Sequence, residues 1–185
     1  MKIQEEVARL AGEALSSLRG ENEKLAAGRF AAGLPALRLA SPWFENGGPL
    51  PRRVSADGDG QPPPLVWSEP PAETREFVLI VEDPDAPKYE PFVHWLVYTI
   101  SSEARGLDAE GATHAREGLN SRLEPGFTPA APPPGDGPHR YHFQLFALDQ
   151  PLALEKGEDK SKVLQYMEGH VIAIGDIVGT YERTA

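Results

Sequence analysis

The stretch EFVLIVEDPDAP, residues 76–87, decides how this sequence folds. Between its two glutamates, Phe77 to Val81 form an unbroken apolar run. The shortness of this run and its β-branched residues favour a buried strand over a helix. DPDAP follows at once, and its two prolines restrict the backbone on either side, which predicts a stiff turn. The sequence therefore predicts a buried strand that leads directly into a rigid turn carrying Asp83 and Asp85.

Three further segments have the composition of strands, with aromatic and β-branched residues throughout or with interrupting glycines. They read FVHWLVYTI at 92–100, YHFQLFAL at 141–148 and VIAIGDIVGTY at 171–181. The 19 prolines and 18 glycines of the chain divide it into short elements, and the proline-rich stretch 123–138 cannot form a central strand. Many short strands with little helix predict a β-sandwich.

Helical patterns occur only near the two ends of the chain. A peripheral helix is predicted over 159–169, with Asp159 as its N-cap and Gly169 at its end. The N-terminal region also carries an apolar stripe at helical spacing, formed by Ile3, Val7, Leu10, Ala14 and Leu18. We therefore expect a helical extension at 1–33 and the sandwich domain at 34–185. The stripe would pack on its own domain, pair with its copy in a homodimer, or dock on another protein.

The overall charge limits the classes of partner. Lys+Arg 18 against Asp+Glu 28 gives a formal net charge of −10, which disfavours nucleic acids and broad adsorption to anionic membranes. One phosphoryl group in a local pocket stays compatible with this charge, because a few aimed donors act at close range. The chain has no cysteine and no apolar run of membrane-spanning length, so we expect a cytoplasmic protein without integral membrane association.

Several side chains that could bind a ligand or take part in catalysis lie near the ends of predicted strands. Strand periodicity predicts one face formed by Phe92, His94, Leu96 and Tyr98, and another formed by His139, Tyr141, Phe143 and Leu145. If these ends meet the DPDAP turn, then Asp83, both histidines and Tyr141 line one pocket. The plainer interpretations are a core histidine whose hydrogen bonds are satisfied there and an ordinary Asp-Pro turn. Pattern alone does not choose between a pocket and these interpretations.

The order of several motifs resembles the phosphatidylethanolamine-binding protein family, in its bacterial Raf-kinase-inhibitor-like branch. These motifs are DPDAP (83–87), FVHW (92–95), PPPGDGPHRY (132–141) and GHVIAIGDIVGTYER (169–183). The resemblance covers about residues 35–184. It implies two antiparallel sheets packed face to face, with a small pocket at one end that receives phosphate, acetate-like anions or a phosphoethanolamine headgroup.

Carried over position by position, the resemblance assigns six residues to the ligand and three to its support. The ligand set is Asp83, His94, Ala131, Pro133, His139 and Tyr141, and the supporting set is Asp85, Pro87 and Phe92. We expect the histidines to bind the anion as cations, with Asp83 holding one of them in its charged form. Phe127, Pro129 and Ala131 depart from the family pattern, which predicts a reshaped pocket mouth.

Binding without turnover is the function we expect, with no cofactor and no metal. The resemblance implies a regulatory or inhibitory role, with a kinase or a protease as the protein target. The alternative is a metal-dependent hydrolase that uses Asp83, His94 and His139 as ligands. Against the alternative, the sequence has neither an HExxH motif nor a GxSxG nucleophile elbow, so no activated nucleophile is evident.

Overall fold

The computed structural model describes residues 24–184, and its strands are antiparallel to their neighbours. The strands are β1 (Leu39–Ala40), β2 (Leu65–Trp67), β3 (Glu76–Asp83), β4 (Phe92–Ser101), β5 (Gly106–Leu107), β6 (Arg116–Glu117), β7 (His139–Leu148) and β8 (Val171–Tyr181). The one α-helix of this part of the chain is α1 (Lys160–Met167), and 3-10 helices cover Ala26–Arg29, Arg52–Val54 and Gly111–His114. The predicted mainly-β, antiparallel architecture is confirmed.

Strand β3 is the centre of the larger sheet, whose order is β6-β4-β3-β7-β8. All eight of its residues are buried, which is why this strand reads as a continuous apolar run rather than an alternating one. The smaller sheet has the order β1-β2-β5. The predicted strands at 76–82, 92–100, 141–148 and 171–181 are all present.

Each face of the larger sheet is covered by its own apolar layer. The inner layer lies between the two sheets and includes Leu65, Trp67, Trp95 and Phe143. On the outer face Leu96, Phe146, Leu164 and Met167 pack together with residues of the 26–30 segment. Helix α1 belongs to this outer layer. As predicted, Asp159 caps it by accepting a hydrogen bond from the backbone N–H of Lys162 at 2.8 Å.

The segment 24–30 is bonded to the outer face through two buried polar side chains. Glu82 accepts a hydrogen bond from the backbone N–H of Ala26 at 2.8 Å, and Gln144 accepts one from Ala27 at 2.8 Å. Lys160 completes the shell of Glu82 with an ion pair at 2.7 Å. Buried acceptors need such partners, so the sheet holds the beginning of the described chain.

The predicted apolar helix within residues 2–19 lies outside the described residues, and the predicted domain boundary at residue 34 stays a prediction. No helix within residues 24–184 has the length and apolar character needed to cross a bilayer.

Removing residues 24–33 should destabilise the sandwich. A chain that starts at residue 34 leaves Glu82 and Gln144 each without one buried donor, which costs about 1–3 kcal/mol per acceptor. We expect its free energy of unfolding in urea to lie below that of a chain starting at residue 24 by about 2–6 kcal/mol, the sum for the two acceptors. Equal stabilities of the two truncated chains would show that the segment contributes no net anchoring.

Candidate functional site

One cavity of about 210 Å³ lies at the end of the larger sheet where β3 finishes and β4 and β7 begin. The three ends meet because neighbouring strands run antiparallel. Eight of the nine predicted residues line this cavity: Asp83, Pro87, Phe92, His94, Ala131, Pro133, His139 and Tyr141. The ninth, Asp85, does not line it. The structure therefore brings the predicted side chains together.

A β-bulge turns His94 toward the cavity. Between β3 and β4 the pairing steps from Val81↔Trp95 to Glu82↔Val93, so His94 is an extra residue on β4. Leu96 and Tyr98 pack in the outer layer, whereas His94 contacts Tyr141 on the inner side, with ring centroids 5.0 Å apart. The predicted common face of Phe92, His94, Leu96 and Tyr98 is therefore wrong, because the bulge reverses the alternation after His94.

His94 is a neutral histidine. Burial lowers the pKa of His94 to about 4. The hydrogen bond to Thr128 acts to raise this pKa, whereas the positive charges of Arg122 and His139 lower it further. Because the Thr128 carbonyl can only accept, Nδ1 carries the proton and donates it to this oxygen at 2.7 Å. Nε2 then carries a lone pair and has no partner among the described residues. This differs from the expectation that both histidines bind as cations.

His139 is the charged histidine of the site, held between two carboxylates. Its Nδ1 contacts Asp83 Oδ2 at 2.7 Å, and its Nε2 contacts Asp136 Oδ2 at 2.9 Å. Burial opposes the charge on this ring, but the bonds to Asp136 and Asp83 outweigh burial and raise the pKa of His139. Burial also raises the pKa of Asp83, against the effect of His139. Asp136 was not among the predicted residues, although it lies inside the quoted PPPGDGPHRY motif.

The DPDAP turn is fixed to β7 by an ion pair rather than by prolines alone. Asp83 Oδ1 accepts the backbone N–H of Asp85 at 2.8 Å. The Asp85 carboxylate in turn accepts from the backbone N–H and the guanidinium of Arg140, at 2.8–2.9 Å. Asp85 thus has a supporting position, since it orients the turn that carries Asp83.

Tyr141 presents a neutral hydroxyl. Burial, followed by the negative charge of Asp83, raises the pKa of Tyr141 above its ordinary value. Its hydroxyl has no hydrogen-bond partner within residues 24–184. At physiological pH this group can both donate to and accept from a ligand.

Two cations at the cavity wall were missed by the sequence analysis. Lys88 and Arg122 are exposed, both line the cavity, and neither has a carboxylate partner in the part of the chain that the structure describes. Lys88 Nζ lies 5.1 Å from the centroid of the Phe92 ring. Lys88 directly follows the DPDAP motif, so its position could have been noticed. Arg122 comes from a distant loop and has no such signal.

The three departures from the family pattern have different consequences. Phe127 packs on Trp95 at a centroid distance of 5.8 Å and does not line the cavity. Ala131 and Pro129 do line it. Pro129 packs closely on Gly60, where an added Cβ would lie 2.7 Å from the proline ring and where φ is +65°. Pro129 and Ala131 therefore both form part of the cavity wall, and Gly60 accommodates the proline. A mouth reshaped relative to the family stays a prediction.

Metal-binding geometry is not found in the described part of the chain, where no three histidine or acidic side chains are arranged to hold an ion. Both nitrogens of His139 and both oxygens of Asp83 already have hydrogen-bond partners. The hydrolase alternative would therefore need these bonds to be rearranged.

Known proteins are similar to this chain in fold and in sequence. The family model for phosphatidylethanolamine-binding protein matches residues 40–182. The chain belongs to the phosphatidylethanolamine-binding protein family.

Bacterial members of the family are similar over nearly their whole length. A UPF0098 protein of Chlamydia trachomatis is 43% identical over 152 residues, which cover 80% of this chain and 99% of that protein. The crystal structure of a phosphatidylethanolamine-binding protein homologue from the same organism has a TM-score of 0.75 at 42% identity, covering 80% of this chain and 98% of its own. YbcL of Escherichia coli, described as a member of the mammalian family, has a TM-score of 0.73 at 30% identity, with coverages of 79% and 98%.

The neutral state of His94 should appear in the acid stability of the protein. Because its pKa is lowered from 6.5 to about 4, the unfolded chain binds this proton more readily than the folded chain. Stability is therefore lost as pH falls from about 6.5 to about 4, by roughly 3 kcal/mol from this group.

The matched variant is His94→Asn, whose amide nitrogen can replace Nδ1 as the donor to Thr128. We expect this variant to lose less stability than the wild type over that pH interval, measured by urea unfolding. His114→Asn, at an exposed histidine, is the control and should follow the wild type. Parallel curves for all three proteins would contradict the assignment of His94 as neutral.

Proposed function

We propose that the protein binds a small phosphorylated ligand in this cavity and does not convert it chemically. The observation that carries the proposal is a pair of exposed cations, Lys88 and Arg122, on the wall of a cavity in a chain of net charge −10. Within residues 24–184 neither of them has a carboxylate partner. Cations without carboxylate partners in an acidic protein create a local positive potential, which attracts a phosphoryl group. The family to which the chain belongs is named for binding a phospholipid, which supports the same class of ligand.

The deeper groups of the cavity complement this charge with hydrogen bonds. The Tyr141 hydroxyl can donate to a phosphoryl oxygen, whereas His94 Nε2 can only accept. A ligand that combines a phosphoryl oxygen with a hydroxyl or ammonium donor matches both groups. Phosphoethanolamine has this combination and is a suitable probe.

Replacing the mouth cations should weaken binding. For Lys88→Gln and Arg122→Gln we expect the affinity for inorganic phosphate and for phosphoethanolamine to fall about fivefold each, or roughly 1 kcal/mol per cation. The double variant should also show a weaker dependence on salt. Isothermal titration calorimetry measures both effects.

Lys156→Gln is the matched control, because it removes one exposed lysine that does not line the cavity. Its phosphate affinity should equal that of the wild type. A double variant Lys88→Gln/Arg122→Gln with wild-type affinity would reject the proposal that these cations attract the ligand.

Absence of turnover is a separate expectation. The described cavity residues include no nucleophile held by a general base, since His139 is bonded to two carboxylates and Tyr141 keeps its proton. We expect phosphoethanolamine to remain intact when it is incubated with the protein and followed by phosphorus NMR. Release of inorganic phosphate by the wild type, abolished in His139→Ala, would instead establish a hydrolase.

A regulatory or inhibitory role through contact with a kinase or a protease is part of the proposal. Two exposed apolar side chains support it: Tyr89, 81% exposed, adjoins Lys88, and Leu123, 78% exposed, adjoins Arg122. Leu123 also has a φ of +63°, a conformation that is costly for this residue type. Aromatic and apolar groups beside cations are common at protein contacts.

A further inference from the structure

His139 has no donor left for a ligand. An imidazolium has two N–H groups, and here Nδ1 is bonded to Asp83 at 2.7 Å and Nε2 to Asp136 at 2.9 Å. If an anion is to accept a hydrogen bond from this ring, one of the two carboxylates has to leave.

The two carboxylates differ in their freedom to leave. The Asp83 side chain is 4% exposed and is also held by the backbone N–H of Asp85. The Asp136 side chain is 51% exposed. Among residues 24–184, His139 is the one residue from which its carboxylate accepts a hydrogen bond. Asp136 is therefore the partner that can be exchanged.

The loop around Asp136 permits this exchange without unfolding. Gly135 and Gly137 flank Asp136, and both have a φ of +79°, a conformation that glycine adopts without strain. The backbone up to Asp136 is fixed, because the N–H of Gly135 donates to the Arg183 carbonyl and the N–H of Asp136 donates to the Pro133 carbonyl. Rotation of the Asp136 side chain alone is sufficient to free the Nε2–H group of His139.

We propose that Asp136 is a specificity-determining residue, an internal carboxylate that the anionic group of the ligand must displace from His139. This inference rests on the proposed function and adds the class of anion that the site selects. Doubly charged phosphoryl groups are selected over single carboxylates.

The selectivity follows from what each ligand offers to a buried cation. A neutral ligand would leave the imidazolium with less compensation, which is unfavourable in a buried site. A free carboxylate replaces one carboxylate by another, and Asp136 has the advantage of being attached to the same chain. A phosphoryl dianion brings more charge and additional oxygens, which can also reach the mouth cations.

The test compares the wild type with Asp136→Asn, which keeps the shape and the accepting oxygen of the side chain but removes its charge. Sulfate serves as the dianion and acetate as the monoanion, since neither changes its charge between about pH 6 and about pH 8. We expect the wild type to bind sulfate more tightly than acetate. In Asp136→Asn both affinities should rise, sulfate by about fivefold, the factor of one exposed ion pair, and acetate by more.

Glu73→Gln is the matched control, because it removes the same charge from an exposed side chain near the opposite end of β3. Its affinities should equal those of the wild type. Carbon NMR gives an independent readout. Titration of the wild type with sulfate should shift the signal of the Asp136 carboxyl group, because this group leaves His139 and becomes more exposed to solvent. The pKa of His139 should be lower in Asp136→Asn than in the wild type.

The outcomes separate this inference from the proposed function. If the wild type binds sulfate, but Asp136→Asn has the same affinities and the Asp136 signal does not move, the inference is wrong and the proposed function stands. If only Asp136→Asn binds sulfate, a dianion does not displace the internal carboxylate of the wild type, and the inference is wrong. If neither protein binds sulfate or phosphate, both proposals are rejected.

Discussion

The full burial of strand β3 is the constraint on which the rest of the structure depends. Its eight residues are buried, yet it contains the carboxyl groups of Glu76, Glu82 and Asp83. A buried carboxylate is costly unless donors surround it. Each of the three therefore requires donors from elsewhere in the fold. Glu76 receives them from the backbone N–H groups of Thr99 and Leu152. Glu82 receives them from residue 26, Gln144 and Lys160, and Asp83 from His139 and the DPDAP turn. The layers and loops around β3 are arranged to supply these donors.

The two histidines of the cavity differ in charge state, although both lie on strands that flank β3. His94 has a backbone carbonyl as its partner and no carboxylate, so burial keeps it neutral. His139 has two carboxylates and is charged. The difference is set by hydrogen-bond partners rather than by residue type. His94 can accept a hydrogen bond from a ligand. His139 can donate one only after Asp136 has moved away from its Nε2–H group.

Much of this arrangement could be predicted from the sequence, for identifiable reasons. The strands β3 and β7 have clear patterns, so their positions and the common face of Tyr141 and Phe143 were predicted. The face of His94 was not, because the bulge that turns it has no composition signal in FVHWLVYTI. Arg122 lies beside the cavity in a loop where the neighbouring Ser121 bonds to the backbone of Val93, a contact between distant segments. The pairing of Asp136 with His139 likewise depends on how the loop folds back.

Glu82 and Asp83 connect the two sides of the sheet. They are adjacent in β3, so their side chains point to opposite faces, Glu82 to the outer layer and Asp83 to the cavity. The partners of Glu82 include the segment at the beginning of the described chain and helix α1, neither of which lines the cavity. Loss of those partners would leave a buried charge one residue away from Asp83. Since a strand buried on both faces cannot relax toward water on either side, the position of Asp83 depends on the layer behind it. The geometry of the binding cavity is thus supported from the far face of the sheet as well as from its own walls.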